Sequence, residues 1–269
     1  MAFPPDMSAS DRRRLAVLAF LVVVAVAAVA AVLGVVIVDR GGGAEAQTIR
    51  EYNLEIVPAD IDYGGGNVWH AWTYKLADAP AGTVPGPTLT VGVGEKLVVN
   101  VKNNLDLTHS FHTHLANYDM ESDGSQANII SGVGAGAMIP PGGSWTYEFE
   151  PTEPGIFYYH CHSADGELMI SQHIRQGLYG AIIVKAPDEP AVRDEVIFMS
   201  EIGHKTEGKS IPPFIMNGMG LPGGEHALEK AFGEGGFDAV AAQLNKTVPA
   251  ISAKTGEEMR VSVINIGDQ

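Results

Sequence analysis

Short apolar or alternating runs, separated by Gly, Pro and Asn, follow one another along most of the chain after residue 47. The run 145–150 alternates apolar and polar positions, which is the pattern of a strand with one buried face. Runs of this length predict an all-β domain, an antiparallel β-sandwich or barrel of the Greek-key kind. Its predicted strands lie at 49–57, 68–76, 96–102, 144–150, 155–162 and 179–185.

A second β unit is predicted after a break at residues 187–190. Two prolines and two acids in this segment cannot continue a central strand, so the first domain is assigned to 48–187. The elements predicted beyond it are a strand at 194–201, helical segments at 225–232 and 237–245, and a strand at 259–265. Residues 191–269 are therefore interpreted as an incomplete second domain.

A long apolar run precedes both units. Residues 15–38 form it, and 24 residues at about 1.5 Å each would cross a bilayer core of about 30 Å. Because three arginines precede the run, residues 1–14 are expected in the cytoplasm, and the chain from the linker at 39–47 onward is expected to be periplasmic or cell-exterior. A cleaved signal sequence is the alternative, since Ala44-Glu45-Ala46 has the small-x-small form of a cleavage site.

The charge balance and the cysteine count narrow the function classes. The chain has 17 basic and 32 acidic side chains, a formal charge of -15, which would repel nucleic acid and anionic headgroups. A nucleic-acid partner is therefore excluded. With one cysteine, Cys161, no intrachain disulfide can form, and the thiol is left for packing, redox chemistry or metal binding.

Histidines gather around this cysteine and in a second short cluster. The segments are His-Ser-Phe-His-Thr-His at 109–114 and His-Cys-His at 160–162. Successive strand side chains point to opposite faces, so neighbouring strands would place His109 with Cys161 on one face. The other face would collect four imidazoles: His112, His114, His160 and His162. Two distinct metal sites are predicted.

The first site needs a second imidazole. His173 follows Cys161 by twelve residues, at the end of a loop that returns to the same edge. Two His and one Cys with a weak axial ligand form the blue-copper (type 1) arrangement for one-electron transfer. Leu178 occupies the axial position and offers no thioether, which should raise the reduction potential, and Met169 is the alternative axial ligand.

The four remaining imidazoles suit half of a copper cluster. They are too many for one copper with an open position, and zinc sites usually include Cys or carboxylate. Cys161 lies between two of them in the chain, so an electron on the first site would have a short covalent route to the second.

These segments resemble a known family. The 109–114 and 160–162 clusters, His173 and Leu178 resemble the H-x-x-H-x-H and H-C-H signatures of multicopper oxidases, and 85–89 resembles their P-G-P-T motif. The resemblance implies a cupredoxin fold and an oxidase that takes single electrons at type 1 copper and reduces O2 to water. It further implies type 2 copper at His112 and a type 3 pair at His114, His160 and His162.

Two departures from the family pattern change the expectation for the whole molecule. The segment 163–172 is longer than usual, and the cluster needs four further histidines although only His204 and His226 follow His173. Two-domain members take those ligands from the second domain of a neighbouring subunit in a homotrimer. The sequence is therefore expected to be a fragment of such a protein.

Two other functions stay open. Copper nitrite reductases also resemble the chain at 155–161, 180–184 and 214–218, but they carry a catalytic Asp at the place of His112 and lack an equivalent of His162. A non-catalytic blue-copper carrier would explain His109, Cys161 and His173 and leave four imidazoles unexplained. The electron donor, whether small molecule, metal ion or redox protein, is not indicated by the sequence.

Overall fold

Strands dominate the structure, a computed structural model that describes residues 35–37, 47–64, 66–116, 119–125, 137–164, 168–202, 214–220, 224–244 and 251–267. Up to residue 187 they are β1 (Val35–Ile37), β2 (Thr48–Asp62), β3 (Val68–Leu76), β4 (Leu89–Gly92), β5 (Lys96–Asn103), β6 (His112–Thr113), β7 (Ser144–Phe149), β8 (Gly155–His160) and β9 (Tyr179–Lys185). Beyond it they are β10 (Arg193–Glu201), β11 (Phe214–Met216), β12 (Met219–Gly220) and β13 (Met259–Asn265). The helices are α1 (Ile170–Arg175), α2 (Gly224–Leu244) and a 3-10 turn, Met120–Ser122.

Two sheets face each other in the first domain. One has the order β1-β2-β5-β7 with β3 on β2, and the other has the order β4-β9-β8-β6. Alternate residues of β5, among them Leu97, Val99 and Val101, point inward and are almost fully buried. They meet Ile182 and Val184 of β9 in one core, which makes the domain a β-sandwich.

The strand pairing corrects one part of the prediction. β2 pairs with β5 and β4 pairs with β9 in parallel, so the sandwich is mixed rather than purely antiparallel. Each predicted strand has a counterpart, but β8 ends at His160 because Cys161 leaves the ladder and bonds to the loop at Leu178 instead. The short strand β4 was not predicted, and of the strand assumed at 109–114 only the two residues of β6 are formed.

A four-stranded sheet of order β12-β11-β10-β13 follows the predicted boundary at 187–190. Its inner face packs Phe198 and Ile215 against Tyr179 and Ala181 of β9. β9 is therefore buried on both faces, which explains its uninterrupted apolar sequence. The predicted helical segments at 225–232 and 237–245 correspond to the two parts of α2, which has non-helical backbone angles at Gly235 and Gly236.

Residues 15–34 of the predicted membrane span lie outside the described residues. Val35–Ile37, near its end, pair as a strand with β2 and are not helical. Within the ranges given above, no helix combines the length and apolar character needed to cross a membrane.

An ion pair at the start of the sandwich gives a pH-dependent prediction. Glu95 accepts two hydrogen bonds from Arg50, the shorter at 2.8 Å, and one from the Gly92 N–H at 2.7 Å. Burial alone would raise the pKa of Glu95, but these bonds and the Arg50 charge outweigh it and lower the pKa below 4.5. The carboxylate therefore stabilises the fold above pH 4.5, and this stabilisation is lost as the pH falls through the lowered pKa.

We expect Glu95→Gln to reduce the free energy of unfolding at pH 7 by about 1 kcal/mol. The difference from the parent chain should shrink below pH 4.5, and urea denaturation at several pH values measures it. Glu153→Gln, at an exposed position, is the control. A deficit in Glu95→Gln that stays constant down to about pH 3 would contradict the linkage.

Candidate metal centres

The two histidine clusters lie on neighbouring strands, as the alternation argument requires. β6 pairs with β8 so that His112 is directly opposite His160. His109 bridges to Ile139 just before β6, and the Cys161 N–H donates to the Leu178 carbonyl at 3.0 Å just after β8. The side chains of His109 and Cys161 therefore point into the core. Those of His112, His114, His160 and His162 lie on the opposite face, where only His160 is buried.

One group of three side chains is completely buried. The Sγ of Cys161 lies 3.5 Å from the Nδ1 of His109 and 3.4 Å from the Nδ1 of His173, and the two nitrogens are 3.2 Å apart. A first-row metal ion about 2.0 Å from nitrogen and about 2.3 Å from sulfur separates its ligand atoms by about 3.3 to 3.6 Å. The three ligand atoms therefore fit a single metal ion, and they form one of the two candidate groups of the described residues. We call them the thiolate site.

The thiol of Cys161 must lose its proton before its sulfur can bind a metal ion as a thiolate. Burial raises the pKa of Cys161 to about 11, although hydrogen bonds from Ser163 and Ser110 oppose the effect. The metal-free chain therefore carries a neutral thiol at pH 7. A cation between the two imidazoles would stabilise the thiolate and release this proton.

A short helix and a tight turn bring the third ligand to the site. α1 carries His173, and the chain then turns at Gly177, whose φ of 109° is strained for other residues. A Cβ there would lie 2.7 Å from the Trp72 carbonyl oxygen and 2.7 Å from a Val84 methyl. Leu178 follows, fully buried, and its backbone bonds to both Cys161 and the His173 carbonyl.

The position of Met169 distinguishes the two proposed axial residues. Its side chain is 63% exposed at the beginning of α1, whereas the thiolate site and Leu178 are at 0%. Leu178 is thus the residue beside the site, and the structure gives no support to Met169.

Trp72 is an aromatic neighbour of the thiolate site that sequence reasoning missed. Its ring meets His109 edge-on at 5.3 Å and His173 at 5.5 Å between centroids. The backbone N–H of Trp72 donates to the Gln176 carbonyl at 2.7 Å, which holds β3 against the turn that follows α1. Its indole contributes to the apolar surroundings of both imidazoles. In the sequence, Trp72 is one apolar residue within a predicted strand, with nothing to separate it from core residues.

The second group is made of imidazoles and lies on the opposite face, nearer to solvent. Ligand atoms of His112, His114 and His160 all lie within 4.8 Å of one another, with 3.2 Å between the Nε2 atoms of His114 and His160. The ring of His162 lies 4.7 Å from that of His112 and 5.6 Å from that of His160. We call these four residues the imidazole cluster.

Backbone carbonyls orient two of the rings. The Nδ1 of His112 lies 2.5 Å from the Asp123 carbonyl, and the Nδ1 of His160 lies 3.0 Å from the Cys161 carbonyl. A carbonyl accepts only, so each Nδ1 carries the proton and each Nε2 is left with a lone pair for a metal. The sequence offered no signal for the role of Asp123.

The surroundings favour the neutral form of three cluster imidazoles, His114, His160 and His162. Burial lowers the pKa of His160 to about 3, and the charges of the neighbouring imidazoles act in the same direction. Burial and His112 likewise lower the pKa values of His114 and His162. Neutral imidazole is the form that binds metal, so protons compete weakly at pH 7.

The comparisons agree with this donor set. Residues 75–189 match the family model described as multicopper oxidase. The chain is 30% identical over 226 residues to the multicopper oxidase MmcO of Mycobacterium tuberculosis, and this alignment covers 77% of this chain and 41% of that protein. It is 26% identical over 223 residues to the copper-containing nitrite reductase of Neisseria meningitidis, covering 80% of this chain and 49% of that protein. A crystal structure of a multicopper oxidase superposes with a TM-score of 0.55 at 29% identity, covering 69% of this chain and 57% of the other.

The chain spans less than half the length of both curated relatives. The family uses copper, and the buried thiolate site together with the imidazole cluster provides the soft and imidazole ligands that copper prefers. Residues 75–189 are therefore a multicopper oxidase domain, and the relatives of this chain are the cupredoxin-like multicopper oxidases and copper nitrite reductases.

Proposed function

We propose that the protein is a copper-dependent oxidoreductase of the multicopper oxidase type, which oxidises an electron donor and reduces O2 to water. His109, Cys161 and His173 would hold type 1 copper with Leu178 in the axial position; His112, His114, His160 and His162 would hold type 2 and type 3 copper. The bound metal supplies reversible one-electron chemistry at the first site and O2 reduction at the second. Four electrons and four protons convert one O2 to two water molecules.

The observation that carries the proposal is the contiguity of the two groups. His160 and His162 belong to the imidazole cluster, and Cys161 between them belongs to the thiolate site. The side chain and backbone of Cys161 therefore form a covalent route from one site to the other. The complete burial of His109, Cys161 and His173 keeps water from the first site, which limits reorganisation during electron transfer.

The arrangement favours O2 over nitrite as the acceptor. A nitrite reductase would use a carboxylic acid at the place of His112 to deliver protons, and here an imidazole occupies that place. Both His112 and His162 contact the cluster rings. A simple electron carrier would leave the cluster without a role.

The outer face of the β10–β13 sheet supports a second cupredoxin domain. Four apolar side chains on this sheet are 45 to 61% exposed: Met199, Phe214, Val261 and Val263. Apolar sheet faces are normally covered by another layer. We assign residues 191–269 to one layer of that domain. In the full assembly, a homotrimer would bring the second domain of a neighbouring subunit to complete the imidazole cluster, and the copper domains would be extracytoplasmic and anchored to a membrane by the apolar run that precedes β1, residues 15–34.

Copper stoichiometry and acceptor preference test the function. The full-length gene product, purified in detergent, would be analysed for metal content, visible and spin-resonance spectra, and consumption of O2 or nitrite. About four coppers per chain with O2 turnover would support the oxidase. About two coppers with nitrite turnover would instead establish the reductase, and about one copper without turnover would establish the carrier.

Removing one cluster imidazole should separate the two sites. We expect His114→Ala to lose copper from the cluster and to consume O2 at least about tenfold more slowly, because ligand loss weakens metal binding. The visible band of the thiolate site should remain, since His114 lies on the opposite face. His70→Ala, at an exposed histidine near the start of β3, is the matched control. Loss of the visible band in His114→Ala would contradict the assignment of two separate sites.

A further inference from the structure

A buried ion pair lies close to the thiolate site without belonging to it. The Nε of Arg175 is 3.2 Å from the Oε2 of Glu201, and the two side chains are only 4% and 2% exposed. Arg175 is the last residue of α1, two positions after His173, and Glu201 is the last residue of β10. The pair therefore joins α1, which carries a proposed copper ligand, to the β10–β13 sheet.

Burial of such a pair needs a reason other than stability. Removing two charges from water is costly, and apolar residues of similar volume often serve a fold as well or better. A buried pair does define geometry, because each charge must keep its partner. The Arg175–Glu201 pair fixes the distance between the end of α1 and the end of β10.

The helix depends on outside contacts for its position. α1 has six residues, too few to be stable as an isolated helix. On one side, Gln176 connects it to β3: its carbonyl accepts from the Trp72 N–H at 2.7 Å, and its Oε1 accepts from the Trp69 indole at 3.3 Å. On the other side, the ion pair connects α1 to β10. His173 is therefore carried by a short helix held between two sheets.

We propose that Glu201, acting through Arg175, is a positioning residue for His173, so that the β10–β13 sheet sets the geometry of the thiolate site in the first domain. Without the Glu201 charge, the buried guanidinium of Arg175 would lose the ion pair that attaches it to β10, and the end of α1 would be free to shift. The Nδ1 of His173, now 3.4 Å from the Cys161 sulfur, would move as well. The proposal rests on the proposed function only where it treats His173 as a copper ligand.

The first test uses Glu201→Gln in the full chain and needs no copper. Amide hydrogen exchange of residues 170–176 in the metal-free protein should become about tenfold faster, because α1 loses its attachment to β10. Asp194→Asn is the matched control, since Asp194 lies on the same strand and pairs with Arg260 and Lys185 at its far end. It should leave exchange at 170–176 unchanged.

A second readout is the copper affinity of the thiolate site, followed by its visible band during copper titration. Glu201→Gln should weaken this affinity by about tenfold, the lower end of the range for indirect support of a ligand. Asp194→Asn should not weaken it. If the parent chain itself shows no band, the proposed function fails, whereas the hydrogen exchange result still decides the positioning role.

The double variant Arg175→Met/Glu201→Leu separates positioning from general stability. It removes both charges together, so global stability should be close to that of the parent chain. Exchange at 170–176 should nevertheless stay fast, and the copper affinity of the thiolate site should stay weakened. Parent-like exchange and affinity in this variant, or unchanged exchange in Glu201→Gln, would overturn the proposal.

Discussion

A Cys161→Ser chain is expected to lose the visible copper band entirely and to reduce O2 on the order of a thousandfold more slowly. A serine hydroxyl does not provide the thiolate that selects copper at this site, and it interrupts the covalent route to His160 and His162. Serine is close to cysteine in volume, so the buried position should still be filled. Visible spectra and O2 consumption with a chemical reductant measure both effects.

Two further measurements make this result specific. Copper bound at the imidazole cluster should persist in Cys161→Ser, because its ligands lie on the opposite face. Met169→Leu, at the exposed alternative ligand, should keep the parent band and rate. A visible band in Cys161→Ser would show that the thiolate site has been misassigned, and a changed band in Met169→Leu would return Met169 as an axial ligand.

Gly177→Ala should strongly destabilise the fold at the turn that follows His173. The positive φ of 109° is unfavourable for alanine, and the new Cβ would lie 2.7 Å from the Trp72 carbonyl and from Val84. Strain and overpacking together should lower the free energy of unfolding by about 3 kcal/mol or more. Because Leu178 and His173 adjoin this turn, copper binding at the thiolate site should weaken as well.

Gly94→Ala is the matched control for the turn. Gly94 also has a positive φ, 81°, but no atom lies within 4 Å of the position that an added methyl group would take. It should cost about 1 kcal/mol and leave copper binding intact. Urea denaturation of both variants gives the comparison. Equal losses of stability in the two would mean that the contacts around Gly177 relax and that only backbone strain matters.

Period-two patterns were sufficient to place the site within the fold. His112 and His160 lie opposite each other because both belong to short runs whose alternation could be followed from the sequence. A short apolar run located β9, and helical spacing located both parts of α2. Local sequence spacing determines these features, so they need no knowledge of distant contacts.

Features that depend on distant residues were not predictable. β4 has four residues, too few for a clear pattern, and it pairs in parallel with β9 from the far end of the domain. Trp72 reaches the thiolate site through the packing of β3 against the turn after α1. The Arg175–Glu201 pair joins two elements of different units. The sequence around Arg175 and around Glu201 contains no pattern that indicates that the two residues form an ion pair.

The burial of the single cysteine has a practical consequence for kinetics. Cys161 is fully buried and its pKa is raised to about 11, so a thiol reagent reacts with it only when this region opens. The labelling rate of the metal-free chain therefore reports how often the site opens, with no background from other thiols. Adding copper should slow that rate, which makes the natural sequence its own single-site reporter of local unfolding.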